Sequence, residues 1–188
     1  MLIPLPASEI ARRDEAREEF AAYFRDLAAR RRAEPRDDLL SALVSVSDGG
    51  DALSEEELLA TCVLLLVAGH ETTANLIGNG ALALLRDPAQ LELFRARPGN
   101  VQAAVEELLR YDPPVQLTRY TGGRDTPRHL SLGHGIHFCL GAPLARLEGQ
   151  VALAKLFERD VALASGDLAH RDDLVLRGLR DLPVTIRA

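Results

Sequence analysis

Residues 54–86 read as one helix, and that helix governs what else a chain of 188 residues can build. Ser54 followed by Glu57 is a capping box: each side chain satisfies a main-chain N–H of the other residue. At 1.5 Å rise per residue the helix reaches about 50 Å. Its middle, LLATCVLLLVAG, is apolar nearly all round, which predicts a buried spine. The fold class expected around such an axis is mainly α, with a little peripheral β.

The flanking segments fit that expectation. Residues 8–32 predict an amphipathic helix with Ser8 as N-cap, carrying Ile10, Phe20, Phe24 and Leu27 and ended by Pro35. Asp37 and Asp38 open a short helix that Asp48-Gly49-Gly50 stops. Asp87-Pro88 starts a further helix to about residue 97. Another runs over about 100–111 until Pro113-Pro114, and one over about 142–159 has Pro143 in its first turn. The triplets at 174–176 and 184–186 are expected to pair as a small peripheral hairpin.

Charge and cysteine content narrow the function. With 22 basic and 28 acidic residues the net charge is −6, which argues against a general nucleic-acid or anionic-membrane binder. Cys62 and Cys139 stand far apart in unlike settings, so no disulfide framework is expected and a reducing cytoplasm fits. The first residues lack a basic flank followed by an apolar core, which predicts no signal peptide. The uninterrupted apolar run, 58–69, is too short to span a bilayer.

Chemistry concentrates in SLGHGIHFCLGAPLAR, residues 131–146. Glycines allow tight bends and close approach to a flat ligand. A cysteine just ahead of a helix meets unpaired N–H groups and the positive end of the dipole, which favour a thiolate. A thiolate is a soft, electron-donating metal ligand. A lone cysteine beside a glycine turn is more often structural, but the spacing G-x-G-x-H-x-C-x-G argues for a ligand. His134, His137 and Cys139 also have the spacing of a zinc or copper site, with His129 or His70 as the near fourth ligand.

Ala68-Gly69-His70-Glu71-Thr72-Thr73 breaks the apolar pattern in the middle of the long helix. A polar notch, with Thr72 bonded back to the Ala68 carbonyl, is one reading. Space cleared by Ala68 and Gly69 beside a flat cofactor is the other. Glu107 and Arg110 lie three apart on one helix face, which by itself signals no more than an ion pair.

Taken together, these motifs resemble the cytochrome P-450 haem-thiolate monooxygenases of the bacterial soluble type. The resemblance implies the C-terminal helical half of that fold, with residues 1–188 as a single partial domain. It implies haem bound by the thiolate of Cys139, with His137 on a propionate. Phe138 and Gly141 would shape the loop, with Gly133 and Gly135 beside the cofactor. Arg119 would bind a propionate as well. It makes 68–73 the distal segment, with Ala68 and Gly69 against the haem and Glu71 and Thr72 delivering protons; His70 fills a variable position. Glu107 and Arg110 match the family's E-x-x-R pair. Leu132 stands where the family usually has Phe.

The resemblance also implies gaps. The family's N-terminal half has no counterpart here, and only 28 residues separate Arg110 from Cys139. Arg124 or Arg128 could take the place of the third charged partner that this stretch normally supplies. The expected activity is insertion of one oxygen atom into a small organic substrate. Molecular oxygen is the oxidant, and a ferredoxin or flavoprotein the electron donor. The alternative is an inactive remnant with weak or no haem binding. A soluble cytoplasmic protein is expected, with no nucleic-acid or membrane partner.

Overall fold

A computed structural model describes residues 6–48, 53–115, 129–173 and 175–187. The chain divides into two compact units, Met1–Ala68 and Gly69–Ala188.

The first unit holds α1 (Ala7–Ala33), α2 (Leu39–Asp48) and the first turns of α3 (Glu55–Arg86). Ser8 is not the cap of α1. Pro6 takes that position, and its carbonyl accepts from Glu9 and Ile10 N–H at 2.9 and 3.0 Å. Proline presets the required φ without needing a donor of its own. The predicted apolar face is also narrower than expected. Ala28 is buried and Phe24 packs on the core, but Ile10 and Phe20 are exposed. The core here is Ala28, Val44, Leu58 and Cys62. Burial pushes the Cys62 thiol up.

Side chains fasten the helix ends as the sequence predicts. Ser54 N–H donates to Glu57 Oε2 at 2.8 Å, and Glu57 N–H returns a bond to Ser54 Oγ at 3.3 Å. Asp38 accepts from Ser41 N–H at 2.8 Å and pairs with Arg31 of α1 at 2.6 Å. The Ser41 N–H, aided by Arg31, holds the Asp38 carboxyl down to about 2.

The apolar middle of α3 is not a buried spine. Leu64 is 65% exposed and Val67 51%. An all-round apolar sequence makes a helix fit for burial, but burial needs something to cover it. Here α2 covers the first turns, and elements of the second unit cover the last. By length and composition α3 could also cross a bilayer; the uninterrupted apolar run considered above understated it.

In the second unit, α3 continues into α4 (Pro88–Ala96), a 3₁₀ turn (Pro98–Asn100), α5 (Val101–Tyr111) and α6 (Ala142–Phe157). Asp87 caps α4 through Gln90 N–H at 3.1 Å. Leu76, Val105, Leu109, Leu153 and Phe157 form the core between α3, α5 and α6. After α6, β1 (Asp160–Leu163) pairs antiparallel with β2 (Val184–Arg187), Val161 opposite Ile186. The expected partner for 184–186 is thus wrong, since Leu176 bridges Val115 instead. Val161, buried in the core, anchors β1 and gives β2 a fixed edge, which triplet patterns alone do not reveal.

Two outcomes follow. Leu153→Ala, at a fully buried site, should lower stability by about 2–5 kcal/mol. Leu144→Ala, on the exposed side of the same helix, should stay within about 0.5 kcal/mol. Urea unfolding monitored by circular dichroism separates them. Because the folded-state pKa of Asp38 is depressed from 3.8 to about 2, its contribution is complete above pH 3.8 and disappears as pH falls towards 2. Asp38→Asn should flatten the acid limb of a stability–pH curve in that window.

Candidate functional site

The site is built on α5 and α6. Their packing through Val105, Leu109 and Leu153 fixes the two ends of the intervening chain. Where that chain reappears, at His129, α5 takes hold of it. Ser131 Oγ–H donates to the Leu109 carbonyl at 2.5 Å. Leu132 packs its side chain against the core.

The loop then closes on itself. Gly133 N–H donates to Leu130 O at 2.9 Å, and Cys139 N–H to Leu132 O at 2.8 Å. Between them lies a 3₁₀ turn, Gly135–His137. Gly133 has φ +76°, and a Cβ there would stand 2.7 Å from the His137 carbonyl oxygen. Only glycine fits both the conformation and the contact. Gly135, φ +64°, needs glycine for the conformation alone, since among the described residues nothing beyond its chain neighbours lies within 4 Å of its Cβ position.

Cys139 is a free, half-buried thiol. Gly141 is the N-cap of α6, and Pro143 stands in the first turn. The carbonyl of Cys139 accepts from Ala142 N–H at 3.2 Å, so the residue joins the first turn through its main chain and not its sulfur. Around it Ile136 and Leu140 are 96% and 89% exposed, and Phe138 and His137 are also exposed.

The other expected residues fall elsewhere. Ala68 and Gly69 are exposed in the middle of α3, while Glu71 and Thr72 are half-buried. Glu71 Oε1 accepts from Arg171 Nη1 at 2.5 Å. Its partner thus lies near the chain's end, and not on the cysteine loop. Arg119, Arg124 and Arg128 lie outside the described residues. Glu107 and Arg110 form a two-pronged pair at 2.5 and 2.8 Å, open to solvent and within one helix. The Arg110 guanidinium draws the Glu107 carboxyl down, and Arg110 rises in return.

The neighbouring carboxylate, Glu106, makes the links between elements. It pairs with Arg146 of α6, accepting from Nε at Oε1 and from Nη2 at Oε2, the second at 3.1 Å. His129 Nε2 lies 3.0 Å from its Oε2. Arg146, then His129, hold the Glu106 carboxyl below its usual range. Sequence reading missed Glu106, Arg146, His129 and Arg171 in these roles. A carboxylate adjoining the E-x-x-R pair gives no signal of partners that lie 23 and 40 positions away.

A zinc or copper centre finds no support. Among the described residues no three His, Cys, Asp or Glu side chains gather in a metal-holding group. His129 is engaged by Glu106.

Comparison with known proteins adds the chain's relationships. The family model described as Cytochrome P450 matches residues 1–94. A Vitamin D(3) 25-hydroxylase of Pseudonocardia autotrophica is 44% identical over 209 residues, covering 87% of this chain and 52% of that protein. The 6-deoxyerythronolide B hydroxylase of Saccharopolyspora erythraea is 42% identical over 218 residues, covering 93% and 54%. A myxobacterial cytochrome P450 solved with myristic acid superposes with a TM-score of 0.90 at 35% identity, over 100% of this chain and 57% of its own. The chain therefore spans about half the length of the relatives it matches. Both pairwise matches also run longer than its 188 residues, so those relatives carry internal segments that it lacks.

Gly133→Ala should cost about 1–3 kcal/mol, since strain and a clash coincide there. Gly135→Ala should cost only about 1 kcal/mol for the left-handed conformation. Thermal unfolding of the two variants, compared with the parent chain, checks the order.

Proposed function

Because the chain belongs to the cytochrome P450 family, we propose that it carries the ligand loop and the acid–threonine segment of a haem-thiolate monooxygenase. Haem is the cofactor that membership implies, and Cys139 is its iron ligand. The observation that carries this reading is the presentation of Cys139. A free thiol stands on a loop closed by its own N–H, bent by two left-handed glycines and set just ahead of α6. The donor chemistry fits the group, since a soft sulfur is flanked by exposed apolar Ile136, Phe138 and Leu140.

When bound, haem would supply the iron chemistry for activating dioxygen, one oxygen atom going to a small organic substrate and the other to water. Cys139 Sγ donates electron density as the thiolate. His137 offers a ring N–H to a propionate, and Arg119 its guanidinium to the same kind of group. Gly133, Gly135 and Gly141 keep side-chain bulk away from the ring, with Phe138 shaping the loop around the sulfur. Ala68 and Gly69 give α3 a low surface, and among the described residues nothing beyond the helix's own backbone lies within 4 Å of a Cβ position at Gly69. The Thr72 hydroxyl holds a proton donor in place, and the Glu71 carboxylate passes protons inwards. Arg171 orients that carboxylate.

Electrons come from a ferredoxin or flavoprotein docking on the face around Cys139. Residues 1–188 form part of one catalytic domain in a soluble cytoplasmic protein, with no nucleic-acid or membrane partner. A second reading, a remnant with weak haem binding and no turnover, is favoured by the exposure of Ile136 and Leu140. A flat apolar group resting on so exposed a face would meet water and be retained poorly.

The reduced carbon-monoxide spectrum tests the main reading. Protein expressed with a haem precursor should give a thiolate-type Soret band, and Cys139→Ser should abolish it. An unchanged spectrum in Cys139→Ser removes that residue as ligand, while absence of haem in the parent chain favours the remnant. In an active preparation Thr72→Ala should raise electron consumption per product formed by about tenfold or more. Unchanged coupling removes Thr72 from proton delivery.

A further inference from the structure

We propose that Glu106 is the positioning residue of the cysteine loop, one carboxylate that fastens both flanks of Cys139 to α5. On one flank it binds His129, ten residues before the cysteine, with Nε2 3.0 Å from its Oε2. On the other it binds Arg146, seven residues after it, through Nε and Nη2 of the guanidinium. An ionised carboxylate only accepts, so His129 Nε2 carries the hydrogen. A second anchor, Ser131 Oγ to the Leu109 carbonyl, lies less than one turn along α5. Loop closure is then local, through Cys139 N–H and Leu132 O.

The two ties differ from ordinary surface pairs. His129 is 11% exposed and Arg146 27%, against 52% for Arg110 in the E-x-x-R pair. Charge-assisted bonds that join separate elements restrict the loop, whereas a pair within α5 restricts only α5. The hydrogen bond from Glu106 also holds the Arg146 guanidinium above its ordinary range. Loss of Glu106 would therefore free Arg146 to move relative to the sulfur. The effect is on the height and surroundings of Cys139 Sγ, so the residue positions the ligand without touching the reacting atoms.

The spectral consequence rests on Cys139 being the haem ligand; the mechanical one does not. Glu106→Gln keeps the side-chain volume and removes its charge. In hydrogen–deuterium exchange of the haem-free full chain, the amides of Gly133, Phe138 and Cys139 should exchange about tenfold or more faster, with α2 unchanged. Unchanged loop exchange overturns the proposal. In haem-loaded protein the ratio of thiolate-type to histidine-type carbon-monoxide bands should fall in Glu106→Gln. It should recover towards the parent value in Glu106→Asp and stay at it in Glu158→Gln, which removes an exposed carboxylate beyond α6. A role in stability alone would lower haem content without moving that ratio, and this result also overturns the proposal. If Glu106→Gln does not fold, His129→Gln cuts a single tie and should speed exchange at Gly133; no change there counts against the clamp. Fast loop exchange without any thiolate band in the parent protein would keep the clamp and refute the haem reading. The converse would keep the haem reading and refute the clamp.

Discussion

Val105, Leu109 and Leu153 are all but withdrawn from solvent, and their contact locks α5 against α6. Every feature near Cys139 inherits its position from that packing. The Leu109 carbonyl is available to Ser131 because the turn of α5 ends there. Glu106 faces α6 because Val105 and Leu109, on the same helix, face the core. Non-directional burial thus sets the frame, and a few directional bonds place the loop on it.

The same frame explains which parts were legible in the sequence. Ser54, Glu57, Asp87 and the paired prolines act within a few residues of themselves, so the helix ends of α3, α4 and α5 could be read directly. The glycine–cysteine run was legible because its conformation is local: the tight bends expected of its glycines are met by the left-handed backbone of Gly133 and Gly135. Whatever depends on distant residues was hidden. The pairing of β2 with β1 was fixed by Val161 entering the core, and the link from Glu71 to Arg171 joins residues 100 positions apart. Pattern also misled where it described fitness for burial. Leu64 and Val67 are apolar on every turn of α3, yet stand open to solvent.

Two carboxylates side by side show how position overrides type. Glu107, in the E-x-x-R pattern, spends its charge on its own helix, in water. Glu106, without a motif, reaches two other segments. Solvent screens the first pair and leaves it little energetic weight. The second acts where water is partly excluded, so its geometry has more to say about the loop.

Leu132 divides its labour between two halves. Its carbonyl receives the Cys139 N–H, while its side chain leans into the core. Main chain and side chain are therefore separate dials. Any residue supplies the carbonyl, so the shape of the bend is indifferent to what stands at 132. The fit against the core is not, and exchanging leucine for a bulkier aromatic ring would disturb that packing while leaving the carbonyl in place for the Cys139 N–H.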